Sequence, residues 1–97
     1  MLVVNQTGNR MFNIDNILSI YMKQTGTIYE IICETENTEC VLARYNTKED
    51  VEESYKRFLK SCRATEIYKY TQNSEIQSGI IERAEEKQID LHVHFFN

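Results

Sequence analysis

His92 and His94 stand two positions apart in a segment, 89–96, that alternates in polarity. On a strand, residues i and i+2 share a face, so the two imidazoles would point the same way and offer two nitrogens to one metal ion. No third ligand is identifiable for them. They are read as strand histidines, exposed or hydrogen-bonded, and no metal is expected. Cys33, Cys40 and Cys62 fall in neither a CxxC nor a zinc-finger spacing. Their odd number, with no secretion signal, points to reduced thiols that pack as small apolar side chains. No serine or threonine sits in a G-x-S-x-G turn, no two carboxylates form a recognisable catalytic pair, and there is neither a G-x-G-x-x-G nor a P-loop. The chain is therefore expected to be no enzyme and to need no cofactor.

Arginine and tyrosine offer more. Arg44 and Tyr45 close an extended segment directly before a helix start. A helix N-terminus presents N–H groups to anions, and Arg44 adds a bidentate contact to phosphate or carboxylate. Tyr68 and Tyr70 supply rings that stack on a base or fill an interface. Together with His92 these form the expected ligand-binding set: Arg44, Tyr45, Tyr68, Tyr70 and His92. In the competing assignment Arg44 caps a sheet edge and the tyrosines plug the core rim.

The elements that must carry these residues follow from periodicity. Residues 2–45 read as strands broken at Gly8, Asp15-Asn16, Thr25-Gly26 and Glu36-Asn37. A two-residue turn at Thr25-Gly26 pairs Met22 with Tyr29, Ile20 with Ile31 and Leu18 with Cys33. A two-residue turn at Glu36-Asn37 pairs Cys33 with Cys40, Ile31 with Leu42 and Tyr29 with Arg44. Both registers place Leu18, Ile20, Met22, Tyr29, Ile31, Cys33, Cys40 and Leu42 on one nearly apolar face, and a one-residue slip of either turn is expected to break that agreement. Ile28, Ile32, Val41, Ala43 and Tyr45 fall on the reverse face.

Residues 47–62 read as a helix capped by Asn46 or Thr47, acidic at its start and basic at its end, with Val51, Tyr55, Phe58, Leu59 and Cys62 as one apolar stripe for the sheet. Residues 64–73 fit either a strand or more helix. Ser74 opens a second capping box and a helix to about residue 88, weakened by Gly79. Residues 89–96 read as a last strand.

The chain has 97 residues, 41% of them hydrophobic, and a net charge of −4. That suits one domain with one modest core, residues 1–97, and argues against disorder. It also lacks the basic footprint of a general nucleic-acid binder. No apolar run is long enough to span a membrane and no signal peptide is recognisable, so a cytoplasmic location and no membrane partner are expected.

The motifs Leu2-Val3-Val4-Asn5, Ile14-Asp15-Asn16-Ile17 and Ala43-Arg44-Tyr45-Asn46-Thr47-Lys48-Glu49-Asp50 resemble a broad set of short prophage-borne proteins of Gram-positive bacteria and their phages. Those proteins run through β-hairpins to a (G/A)-x-Y-x-T-x-E helix start. The resemblance covers residues 1–62 and does not extend to 63–97. It implies a host-manipulation factor, in some cases a sponge that holds a nucleotide signal of bacterial immunity without cleaving it. No binding residue is carried over from it.

The expectation is an α+β fold: an antiparallel meander over residues 2–45, covered by the helix 47–62, then a second helix and a C-terminal strand. The expected function is non-catalytic anti-defence sequestration of a small nucleotide-derived signal. The alternative is a module that inhibits a host defence or regulatory protein by direct binding, through its acidic helix face or a sheet edge. A homo-oligomer is expected from the apolar residues of the reverse face and from Phe95 and Phe96.

Overall fold

A computed structural model describes residues 1–71 and 73–97. The fold is α+β. Strands β3 (Ile17–Thr25), β4 (Ile28–Thr35) and β5 (Glu39–Tyr45) form an antiparallel meander against helix α1 (Lys48–Tyr70). The meander is confined to these three strands. The first hairpin, β1 (Leu2–Val4) and β2 (Met11–Asn13), instead joins strand β6 (Val93–Phe95) in a second sheet ordered β2-β1-β6, with β6 parallel to β1. Helix α2 (Ser74–Glu86) lies between α1 and β6 in the chain.

The β3–β4 turn sits one residue later than expected. Thr25 faces Ile28, and Gly26, at φ 63°, takes the first central position, as in a type II′ turn. Moving a hairpin centre by one residue shifts the pairing by two, which keeps every side chain on its face. Ile20 therefore faces Cys33 and Met22 faces Ile31, and the apolar face survives the slip that was expected to destroy it.

Two bulges do reassign side chains. One between Ile17 and Ser19 turns Leu18 outward, 68% exposed, while Ile17 packs on the core. The other lies at Leu42. Cys33 faces Cys40 as expected, but Ile31 then faces Ala43 and Tyr29 faces Tyr45. Ala43 and Tyr45 thereby leave the reverse face for the core, and Arg44 moves to the reverse face opposite Glu30.

The two sheets are joined at that bulge. The Gln6 backbone N–H donates to Leu42 O at 2.7 Å. The Gln6 side-chain amide accepts from Arg44 N–H at 2.9 Å and donates to Arg44 O at 3.2 Å, as a neighbouring strand would.

Helix α1 starts at Thr47, whose side chain accepts from Asp50 N–H. It continues to Tyr70, well beyond the expected end. Val51 and Phe58 are buried on its inner face, but Leu59 is half exposed, and the stripe continues through buried Ser61 and Thr65. Val3, Ile31, Cys33, Leu42, Ala43, Val51, Phe58 and Phe96 form the core. The N-cap of α2 is Asn73, accepting from Glu75 and Ile76 N–H, so Ser74 is already helical. Gln77 Nε2 donates to Thr71 O at 2.6 Å and closes the end of α1.

Candidate functional site

Of the five residues expected to bind ligand, Tyr68 and His92 come together within one chain, and they lie apart from Arg44 and Tyr45. Arg44 donates from Nε to Glu30 Oε2 at 2.9 Å on the outer face of the meander. Tyr45 points the other way. Its hydroxyl donates to Asn97 O at 2.6 Å and meets Ser54 Oγ at 2.6 Å, and burial pushes its pKa up. Tyr68 and His92 are together, ring edge to ring face at 4.9 Å. Tyr70 is exposed beside Lys69. From Ser54 to Tyr68 is about 20 Å of helix at 1.5 Å per residue. A pocket using Tyr45 and Tyr68 together would therefore need a second chain.

The two histidines do not share a face. His92 takes a left-handed backbone, φ 66°, outside the strand and is exposed. His94 is buried between Phe58 and Phe96. Among the described residues no three potential ligands cluster for a metal ion. His94 does stand near a serine and an aspartate, with Nδ1 3.1 Å from Ser61 Oγ and 3.6 Å from Asp90 Oδ2. Both meet the same ring nitrogen, and Ser61 is 1% exposed, so this trio cannot relay a proton from serine to aspartate through the ring. Burial holds the His94 pKa below its usual value against the opposing pull of Asp90.

The groove between α1 and α2 is different. It encloses about 500 Å³ and is lined by Lys60, Arg63, Ala64 and Ile67 from α1, by Ile80, Arg83, Ala84 and Lys87 from α2 and its C-cap, and by Ile89. Its floor is aliphatic and every polar side chain lining it, among the described residues, is a cation. A smaller hollow of about 280 Å³ continues past Lys60, Lys87 and Ile89 to Glu53, Arg57 and Gln88. Five of the chain's eleven basic residues thus gather here on a chain of net charge −4. Arg44 and Lys48 are paired with carboxylates, but no ion pair holds Arg57, Lys60, Arg63, Arg83 or Lys87 among the described residues.

Local rules build this groove. Lys60, Arg63, Ala64 and Ile67 fall at i, i+3, i+4 and i+7, one helix face. Ile80, Arg83, Ala84 and Lys87 repeat the same spacing with the lysine and isoleucine ends exchanged. Gln77 of α2 bonds to Thr71 at the end of α1, and α2 runs back along α1, so Lys60 and Lys87 border the groove where it opens into the adjoining hollow, the two Arg-Ala pairs line its middle, and Ile67 and Ile80 line it away from that hollow. The alanines admit close approach. At the end of α2, Ile89 N–H donates to Ala84 O at 2.7 Å and Gln88 N–H to Glu85 O at 3.2 Å, with Gln88 at φ 56°. This is a Schellman ending, and it seats Ile89 over Ala84 in the floor.

None of these cleft residues was among the expected binding set. The signal was nevertheless in the chain: K-x-x-R-A-x-x-I at residues 60–67 and I-x-x-R-A-x-x-K at 80–87, two mirrored faces. Half of each face is charged, so a search for apolar stripes passes over it. No protein-family model, curated protein or solved structure matches this chain.

Proposed function

We propose that the chain is a non-catalytic binding protein that withholds a small nucleotide-derived signal from its receptor, as phage anti-defence sponges do, with the α1–α2 cleft as its site. The observation that carries this reading is the cleft itself: an aliphatic floor with four cations that form no ion pair among the described residues. Charge-assisted bonds to phosphate and apolar contact with a base or sugar are what such a ligand requires. Its volume lies within the usual range for small-molecule sites. The resemblance of residues 1–62 to prophage-borne proteins supports the biological setting.

The test is thermal melting with a panel of cyclic and ADP-ribose-type nucleotides. A ligand at a hundred times its Kd adds about 2.7 kcal/mol, which raises the midpoint of a domain this size by about 10 °C or more. The ligand recovered afterwards should have unchanged mass. An unmoved midpoint across the panel overturns the reading.

One observation favours direct protein contact as a second reading. Leu2, Val4, Met11, Val93 and Phe95 share the outer face of the β2-β1-β6 sheet by register, and Leu2, Met11 and Phe95 are exposed. A host protein or another copy of this chain fits such a face. Of the residues first expected to carry an oligomer, Ile32 and Phe96 are buried within the chain and Tyr45 packs on its own core, whereas Ile28 and Phe95 are exposed. Native mass measurement of wild type and Met11→Lys distinguishes the cases. A multimer lost in the variant supports self-association, and a monomer in both removes it.

A further inference from the structure

The mirrored cleft has a direction. Its Lys60–Lys87 end is cationic and continues into a hollow with a further arginine, Arg57. Its opposite end is Ile67 with Ile80. The only carboxylate at the cationic end, among the described residues lining the hollow, is Glu53, which opposes an anion moved further along α1 and favours one held at the lysine pair. All polar side chains of the cleft proper are lysine or arginine, which only donate. Among the described residues, no side chain lining the cleft accepts a hydrogen bond from the exocyclic amine of adenine or cytosine.

Resting on the reading above, we propose that the cleft takes nucleotides in one orientation, phosphates at Lys60 and Lys87 and base toward Ile67 and Ile80, and that it discriminates by the number of phosphates and not by the base. The two guanidinium groups, Arg63 and Arg83, flank the middle, where their planes serve phosphate or stack on a base without reading its edge. Affinity then rises with each added phosphate, because each one brings a further charge-assisted contact and releases counterions.

Calorimetric titration at fixed salt tests this with AMP, ADP, ATP, CTP and UTP. Affinity should rise about tenfold per phosphate, as expected for hydrogen bonds to charged groups, and the three triphosphates should agree within about threefold. Replacing Lys60→Gln and Lys87→Gln together should flatten the AMP–ADP–ATP series. Replacing Ile67→Ala and Ile80→Ala together should weaken all five nucleotides by a common factor. The lysines and Ile67 are exposed, and far-UV circular dichroism checks that each variant keeps its helices. Equal binding of AMP and ATP, a tenfold spread among the triphosphates, or a phosphate series unaffected by the lysine changes overturns the orientation and leaves nucleotide sequestration standing. Binding of none of the five, with the wider cyclic and ADP-ribose panel also silent, overturns both.

Discussion

Glu30 shows how one residue in the wrong register would cost the fold. It is 8% exposed, and its carboxylate meets Arg44 Nε at 2.9 Å and Thr25 Oγ1 at 3.0 Å. The Arg44 guanidinium foremost holds its pKa below the usual carboxylate range. Arg44→Ala leaves that carboxylate half satisfied. Because the arginine is solvent-exposed, the loss should be about 1–2 kcal/mol in urea unfolding, and the α1–α2 cleft, which Arg44 does not line, should be left intact. His94 gives a pH signature. Its folded pKa is lowered by burial, so below about 6.5 the unfolded chain takes up a proton that the folded chain refuses. Stability is full above that pH and falls as pH drops from there toward the lower folded pKa. Asp90, Arg57 and Ser61 are the groups that face or act on it. His94→Gln should reduce the difference between urea midpoints at pH 7.5 and 5.5. Acid loss from Glu30 belongs to a lower window, beneath the ordinary carboxylate value of 4.5.

At the scale of elements, the ending of α2 offers a clean test. Gln88 sits in the left-handed region, which costs a non-glycine residue about 1 kcal/mol. Gln88→Gly should therefore stabilise by up to about 1 kcal/mol while leaving Ile89 in the cleft floor, a gain readable by thermal melting. Much at this scale was legible. Alternation found β3, β4 and β5, and the faces survived because a hairpin displaced by one residue conserves parity. The bulges at Leu18 and Leu42 were not legible. A bulge adds one residue without altering the local apolar pattern, and the pull comes from elsewhere: Gln6 takes the Leu42 carbonyl, and Glu30 takes Arg44. Residues 64–70 alternate like a strand yet are helical, because buried Ser61 and Thr65 extend the inner face of α1 toward His94 and the His92 backbone. Polar residues on a buried stripe carry no hydrophobic signal. The cleft was legible only as two mirrored spacings 20 residues apart (Lys60 to Ile80), which matter once α2 folds back.

At the scale of the molecule, the parallel pairing of β1 with β6 closes the chain on itself. Leu2 faces Val93 and Val3 faces His94, while Phe96 packs on Phe58. Three-residue strands carry too little pattern to name a partner, so this closure was invisible to local reasoning. Deleting residues 91–97 should uncover Val3 and Phe58 together. Losing an aromatic of this burial costs about 3–5 kcal/mol, a large share of what a small domain has. The expected outcome is an unfolded or broadly melting β1–β2 hairpin, seen as rapid amide exchange at residues 2–13, while β3–β5 and α1 keep more protection. The same closure sets a timetable during synthesis. β1 leaves the ribosome 91 positions ahead of the strand it must join, Leu2 against Val93. Until then a nascent copy shows an unmatched edge and a bare phenylalanine, features that attract chaperones and proteases. Copies abandoned by a stalled ribosome are thereby marked for clearance, and only those translated through β6 conceal the mark.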